Sequence, residues 1–291
     1  MRFLSDYLRE SFGEKVYRLS LSSGCTCPNR DGFLSVGGCT FCSEGGSGEF
    51  AAEGTLEEQI SRAKELIARK TGAKKFIAYY QSFTNTYGDV KRLEKLYTDT
   101  IRRPEIAVLS LGTRPDCLGE EVMGMLKRLN AVKPVWIELG LQTIHETTAQ
   151  RINRRYSLAV FEDAYRRLRR AGITVIVHVI FSLPGESRED MKETIRYLSA
   201  LEPELQGIKI AMLNILKNTP MYEEYQRRPF RLLTMEEYTD LVAECMSILP
   251  KNTVVHRISG DGARKLLVAP EWITDKKRVM NMIRAKMARQ G

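Results

Sequence analysis

Apolar and polar positions along the chain fall into two alternating regimes. Six short runs rich in β-branched and aromatic residues read as strands: Val16–Leu21, Lys75–Tyr80, Ile106–Leu111, Val135–Leu141, Thr174–Phe181 and Gly207–Leu213. Amphipathic helical patterns lie between them, several with legible starts. Thr55 with Glu58, and Thr234 with Glu237, match the reciprocal cap in which a hydroxyl and a carboxylate satisfy free backbone N–H groups. Ser157 is placed to cap a helix with Leu158, Phe161, Tyr165 and Leu168 on one face, closed by Gly172. Ser187 opens another, with Met191, Ile195 and Leu198 inward. Strands alternating with helices predict an α/β fold of parallel strands joined by helical crossovers.

The strand faces separate an open doubly wound sheet from a barrel. In Val135–Gln142 one face is Val135, Ile137, Leu139 and Leu141, while Trp136, Glu138, Gly140 and Gln142 share the other. Val175, Val177, Val179 and Phe181 likewise oppose Thr174, His178 and Ser182. A sheet covered by helices on both sides is apolar on both. One apolar face and one polar face suit a barrel with a working lumen. The expected architecture is a partial (βα)6 TIM-like barrel over residues 1–250. A basic C-terminal extension, 251–291, packs on it, with a short strand near Val254 and a helix after Asp275.

Charge sharpens this division. The net charge is +9, and residues 251–291 hold ten Lys/Arg against three Asp/Glu, so they carry +7 of it. Lys276, Lys277, Arg278, Arg284, Lys286 and Arg289 fall on the terminal helix. Such a flank suits a polyanion, and equally a solvated surface. The longest apolar stretch, Ile173 to Phe181, is too short to span a bilayer and is interrupted by His178. No secretory pattern follows Met1, so a cytoplasmic protein without membrane contact is expected. Thiols stay reduced there, and four of the six cysteines, Cys25, Cys27, Cys39 and Cys42, crowd into one segment. Three readings compete on spacing alone: a structural zinc site with one good Cys-x2-Cys knuckle, a redox dithiol, and an iron–sulfur cluster held by three thiolates.

The knuckle Cys39-Thr-Phe41-Cys42, with an aromatic between two cysteines, resembles the cluster motif of radical S-adenosylmethionine (SAM) enzymes. The first ligand stands further upstream than the common Cys-x3-Cys-x2-Cys. That long spacing, with Cys27-Pro-Asn-Arg-Asp-Gly32, is similar to the YtqA/YhcC-type radical SAM family, relatives of the Elongator catalytic subunit. Further matches are Gly46-Ser-Gly48, Gly112-Thr-Arg-Pro-Asp116, Glu138-Leu-Gly-Leu-Gln142, Leu183-Pro-Gly-Glu186, Arg257-Ile-Ser-Gly-Asp261 and Ala269-Pro-Glu-Trp272.

The resemblance implies a 4Fe-4S cluster on Cys27, Cys39 and Cys42, with one iron open to the amino and carboxylate groups of SAM. Cys25 is then a neighbour, Phe41 lies beside the adenine, and the Leu183 turn lines it. Gln81 and Ser82, ending the second strand after Tyr79 and Tyr80, stand where relatives present groups to the SAM amine. Gln142 followed by Arg154 is similar to the SAM-binding region of oxygen-independent coproporphyrinogen oxidase, implying a ribose contact and a pair with the SAM carboxylate. Glu138 is expected to accept ribose hydroxyls, or to form a barrel ion pair with Arg114 or Lys209. His178 is a candidate for ribose contact, proton transfer or a hydrogen-bonded lumen position. Cys245 reads as core, and Cys117 as adjacent to the mouth.

The resemblance also implies an external electron donor such as flavodoxin or ferredoxin, SAM cleavage to a 5′-deoxyadenosyl radical, and tRNA as substrate. The modified group would be a wobble uridine side chain, through carboxymethylaminomethyl remodelling. A radical SAM enzyme acting on a small metabolite is the second reading. A zinc-stabilised RNA-binding protein without catalysis is the third.

Overall fold

The computed structural model describes residues 2–46, 51, 54–68, 71–260 and 264–289. Its elements run β1 (Arg2–Phe3), α1 (Leu4–Phe12), β2 (Val16–Leu21), α2 (Leu56–Ala68), β3 (Lys75–Tyr80), α3 (Val90–Ile101), β4 (Ile106–Thr113) and α4 (Glu120–Asn130). Then come β5 (Val135–Gln142), α5 (Glu146–Arg151), α6 (Leu158–Arg170), β6 (Thr174–Phe181), α7 (Arg188–Ser199), β7 (Gly207–Met212), β8 (Ile215–Leu216) and α8 (Pro220–Arg227). The chain closes with α9 (Met235–Ile248), β9 (Val254–Arg257), β10 (Leu267–Ala269) and α10 (Lys276–Ala288). Eight strands form one curled, all-parallel half-barrel in the order β1-β9-β7-β6-β5-β4-β3-β2. The six expected strands are all present, in sheet order as in chain order, with β2, β3 and β6 spanning the expected residues.

Two expectations need correction. Residues 251–291 are not an appendage packed on a finished barrel. Strand β9 pairs with β7 on one side (Gly207↔Val254) and β1 on the other (Arg2↔Val254), so a boundary at residue 250 would cut the sheet. The β-branched pair Val254 and Val255 supplies what the open edge of β7 needs, and both are buried. Ser157 starts α6 without a side-chain cap; the Leu158 N–H instead donates to Glu146 Oε1 at 2.6 Å. The boxes at Thr55/Glu58, Thr234/Glu237 and Ser187/Asp190 do close. Asp275 caps α10 through the Arg278 N–H at 3.1 Å.

Alternation along the strands divides two cores. Outward residues such as Val135, Ile137, Leu139, Leu141, Val175, Val177 and Phe181 pack under the helices in the main core. Inward, Leu8, Val16, Ile77, Tyr79, Val108, Trp136 and Ile176 form a second cluster, with Leu4, Tyr7 and Phe12 of α1 packed against it. Helix α1 therefore plugs the end of the barrel at which the strands begin. Each fully buried aliphatic there is worth about 1.5–3 kcal/mol. The plug stops at Gly13, whose φ of 67° lets its N–H return to Arg9 O at 2.9 Å. Because α1 joins β1 to β2, it also links the two open edges of the sheet. Polar chemistry is left to the opposite end.

Candidate active site

The connections that leave the carboxyl ends of β2 to β7 meet at the mouth, where working residues of parallel barrels collect. The cysteine loop follows β2 and is fastened to that rim by backbone bonds. Cys27 O accepts from the Arg30 and Asp31 N–H groups, and Cys42 N donates to Cys39 O at 2.9 Å. Thr40 is clamped on both sides: its N–H donates to Ile152 O (3.0 Å) and its carbonyl accepts from Met221 N (2.9 Å). Arg30 Nη2 donates to the carbonyls of Cys42 and Ser43. Asn29, fully buried, donates to Asn153 O at 2.6 Å and stands 3.6 Å from Cys39 Sγ.

Desolvation, and then Cys42, push the Cys39 thiol up to about 12, with Cys27 adding to the effect. Thiols crowded this way need a cationic group to hold them as thiolates. Cys27, Cys39 and Cys42 offer three thiol donors, one short of the four that a closed structural zinc site takes. A multi-iron cluster, which gives each cysteine its own iron and leaves one iron open, fits a set of three thiols. Cys25 points elsewhere: it is buried in the main core, 3.6 Å from Arg92 Nη2. Cys245 is buried in the same core, and Cys117 sits beside Asp116, burial pushing its thiol up.

Around this loop the mouth is built from hydrogen bonds. Asn85, fully buried, donates from Nδ2 to the carbonyls of Tyr80, Ser82 and Gly112, and accepts from Ser23 Oγ at 2.6 Å. One side chain thereby ties the ends of β2, β3 and β4 and fixes the backbone around Gln81 and Ser82. Gly46 must lack a side chain because a Cβ there would lie 2.4 Å from the Phe83 ring. Gln142 turns out of β5 with φ 65°, and its Oε1 accepts from Tyr156 Oη at 2.9 Å. Gly140 leaves the room, since a Cβ would meet Gln142 Nε2 at 2.7 Å. Phe41 packs in one apolar cluster with Ile152, Leu183, Leu213 and Met221, which brings the knuckle aromatic to the Leu183 turn. Asn214 Oδ1, just past β7, is buried and has no hydrogen-bond partner among the described residues. Ser47, Gly48 and Asp261, the ends of two motifs, lie outside the described residues.

Two residues expected to meet the cofactor are engaged by the protein itself. Arg154 is fully buried and spends its donors on protein oxygens: Nη1 on Leu141 O (2.9 Å) and Thr143 O (2.6 Å), Nε on Tyr156 O (3.0 Å), Nη2 facing Glu146. It is a strut beneath the β5 turn, with four of its five N–H donors directed at protein oxygens. Glu138 is likewise occupied. Oε1 accepts from Ser110 Oγ at 3.0 Å and lies 3.6 Å from Arg18 Nη2, while Oε2 meets Lys209 Nζ and His178 Nε2, the latter at 2.9 Å. Of the alternatives considered for Glu138, the ion pair with Lys209 is the arrangement found.

Electrostatics fix the protons in this lumen layer. Burial alone would raise the Glu138 carboxyl, but Lys209, Arg18 and His178 hold it well below the usual carboxylate range. Burial and Arg18 draw Lys209 down, against the pull of Glu138. Burial, then Lys209, lower His178 below its ordinary 6.5 against the pull of Glu138, so the imidazole is neutral at neutral pH. With an anionic acceptor at Nε2, that nitrogen carries the hydrogen and Nδ1 keeps a lone pair. The ring is about a third exposed to the lumen (30%).

A parallel half-barrel with a three-thiol knuckle at its mouth defines a class of cluster-bearing barrel enzymes, and comparison with known proteins names it. The Radical SAM superfamily model matches residues 24–198, and the Radical_SAM C-terminal domain model matches 205–289. The chain is similar to YtqA of Bacillus subtilis, 40% identical over 290 residues that cover 99% of this chain and 89% of that protein. A tRNA uridine(34) acetyltransferase of Methanocaldococcus jannaschii is 26% identical over 156 residues, 53% of this chain and 28% of that one. Among solved structures, the archaeal Elp3 of Methanocaldococcus infernus with an N-terminal deletion shares the fold. Its TM-score is 0.70 at 18% identity, covering 93% of this chain and 63% of that chain. This chain belongs to the radical SAM superfamily, in the branch that contains YtqA. Membership implies a 4Fe-4S cluster and SAM. Among the described residues no helix is long and apolar enough to cross a membrane.

Sequence reasoning missed Asn85, Tyr156, Asn214 and Arg18, and left Asn29 unassigned inside a quoted motif. Asn29 and Asn214 carried a readable signal, a polar amide beside a metal-type cysteine or just past a strand end. Asn85 and Tyr156 act through backbone atoms distant in sequence, which no local pattern marks.

Proposed function

We propose that this protein is a radical SAM enzyme whose cluster is held by Cys27, Cys39 and Cys42 and whose substrate is a tRNA wobble uridine side chain, remodelled at a carboxymethylaminomethyl group. The observation that carries the enzymatic reading is the three-thiol knuckle pinned at the carboxyl end of the half-barrel by Asn29 and Thr40. When bound, the cluster supplies an electron, received from a donor such as flavodoxin or ferredoxin, that splits SAM and yields a 5′-deoxyadenosyl radical able to remove a substrate hydrogen. The chain's residues orient and shield that chemistry. Phe41 and Leu183 offer an apolar wall for the adenine. Gln142, steadied by Tyr156, and the backbone at Gln81 and Ser82 offer polar contacts, and the orphan Oδ1 of Asn214 accepts from an ammonium or hydroxyl. His178 faces the lumen with an acceptor nitrogen, poised to hold or take a proton from substrate, while Glu138 keeps its tautomer fixed. The tRNA reading draws on the relative named as a tRNA uridine(34) acetyltransferase and on the basic end of the chain.

Anaerobic reconstitution tests this. Iron and sulfide should load in wild type and Cys25→Ala, and fail to load in Cys27→Ala, Cys39→Ala and Cys42→Ala. With a strong reductant the loaded protein should form 5′-deoxyadenosine, and tRNA isolated from cells lacking the enzyme should change mass at the wobble nucleoside. Full iron in Cys27→Ala, or SAM cleavage stimulated by a small metabolite and not by tRNA, would overturn the cluster or the substrate assignment respectively.

A further inference from the structure

The sheet does not close, and between its two edges runs a cavity of about 930 Å³. Gln81 at the mouth and Leu4 at the plugged end both line it, so it extends along the depth of the open seam. Its two banks come from opposite ends of the chain. One carries Arg9 of α1, then Lys15 and Arg18 at β2; the other carries Arg257 of β9, then Lys276 and Arg284 of α10. Glu14 is the one acid among the lining residues. On α10, Lys276, Met280 and Arg284 recur every fourth residue and form the face turned to the seam. The remaining lining is largely apolar, including Leu8, Ile67 and Ile77.

The basic excess on α10 is sorted by face. Val279 and Ile283 are buried against the body of the fold. Lys286 is bound to Glu236 and Asp240, each at 2.7 Å, so it anchors the helix to α9. Lys277 and Arg278 are exposed and do not line the seam. At the inner wall, Arg18 Nη2 is buried without a hydrogen-bond partner among the described residues. It stands 3.6 Å from Glu138 Oε1, an ion pair without a hydrogen bond, so it lends the inner wall positive charge and keeps donor capacity for a further acceptor.

We infer that the seam is the cradle for a single-stranded stretch of the RNA substrate, its phosphates held between the α1–β2 bank and the α10 bank while one nucleotide reaches into the lumen past Arg18. Two facing rows of cations with an apolar floor match a backbone that is charged on its outside and a base that is not. The lateral opening gives an extruded nucleotide a route to the lumen. This inference rests on the tRNA reading above and deepens it by locating the strand.

The test is tRNA binding at several salt concentrations with the cluster-loaded protein. Compared are wild type, Lys276→Gln/Arg284→Gln, Arg9→Gln/Lys15→Gln and, as an equal charge change off the seam, Lys277→Gln/Arg278→Gln. Each seam pair should weaken binding roughly tenfold at moderate salt and flatten the log–log salt slope by about 0.7 for every phosphate left without its cation. The off-seam pair should stay within about twofold of wild type, since only the diffuse field changes. Equal losses in all three pairs would mean a diffuse basic surface, and no loss in either seam pair would mean that RNA docks elsewhere; both overturn the seam while leaving the tRNA reading intact. Wild type that cleaves SAM yet shows no salt-dependent tRNA binding would remove the tRNA reading and the seam together.

Discussion

At the floor of the lumen Leu8, Val16, Ile77, Val108, Trp136 and Ile176 exclude water by filling space, whereas at the mouth Asn29, Asn85 and Arg154 work through directed bonds to backbone carbonyls. The two ends are opposite solutions to burial. Apolar packing is non-directional and tolerates exchanges that keep volume. A buried amide or guanidinium that serves three carbonyls has one acceptable geometry, and its loss strands every partner. The half-barrel therefore puts tolerance where only sealing is needed and fixed position where a cofactor must be met.

The comparison breaks first at the mouth. Arg154→Ala strands the carbonyls of Leu141, Thr143 and Tyr156, and should cost about 3–5 kcal/mol in urea unfolding, beyond anything a surface arginine contributes. Arg154→Lys should recover less than half, because one ammonium cannot span the three acceptors. A fully stable Arg154→Ala protein would refute the strut. At the floor, Leu8→Ala should cost about 2–4 kcal/mol, while Leu8→Met stays below about 1.5 and keeps 5′-deoxyadenosine formation near wild type. If Leu8→Met abolished SAM cleavage without loss of stability, the floor would be part of the chemistry and not a plug.

Between the two ends the charged layer gives the smallest effect and a sign. His178 titrates below its ordinary 6.5 in the folded protein, so as pH falls through that value the unfolded chain takes the proton first and stability drops. His178→Gln should remove part of this drop between about pH 6.5 and 5, at most about 1.4 kcal/mol per pH unit. Glu138, held low, gives stability that persists down to its ordinary 4.5 and is lost only in stronger acid. Unfolding curves of the two proteins at pH 7.5 and 5.5 that shift in parallel would assign the drop to other groups, His256 first among them.

How much of this was legible in the sequence follows the same division. Period-two alternation depends on neighbours two residues apart, so the runs at β2, β3 and β6 were readable to their ends. The apolar outer face and polar inner face of β5 told the barrel from a doubly wound sheet. The cysteine knuckle was readable because thiol chemistry is rare enough to mark itself. Glu138 was recognised as a carboxylate that needs a partner, and Arg154 was read as a partner for the SAM carboxylate; which partners they have depends on strands and turns brought together from far along the chain. Gln142 could be seen at a strand end, not its left-handed turn toward Tyr156. The boundary at residue 250 was misplaced because composition changes there while the sheet does not: a basic tail begins just before the strand that finishes the fold.

That last strand sets an order of events during synthesis. Arg2 and Phe3 pair with Val254 and Val255, so β1 waits during synthesis for a strand about 250 residues further along the chain. At about 5–20 residues per second that delay is roughly 12–50 s. Through it Leu4, Tyr7 and Leu8 can pack on Val16, Ile77, Val108, Trp136 and Ile176 of β2 to β6, while the edge to which β1 belongs is not yet made. The nascent chain is thus a trough with one edge unfinished, and β1 joins the sheet in one late step whose contacts are among the longest-range in the fold. A truncation that removes β9 would leave that trough permanently open, a natural target for holdase chaperones and proteases.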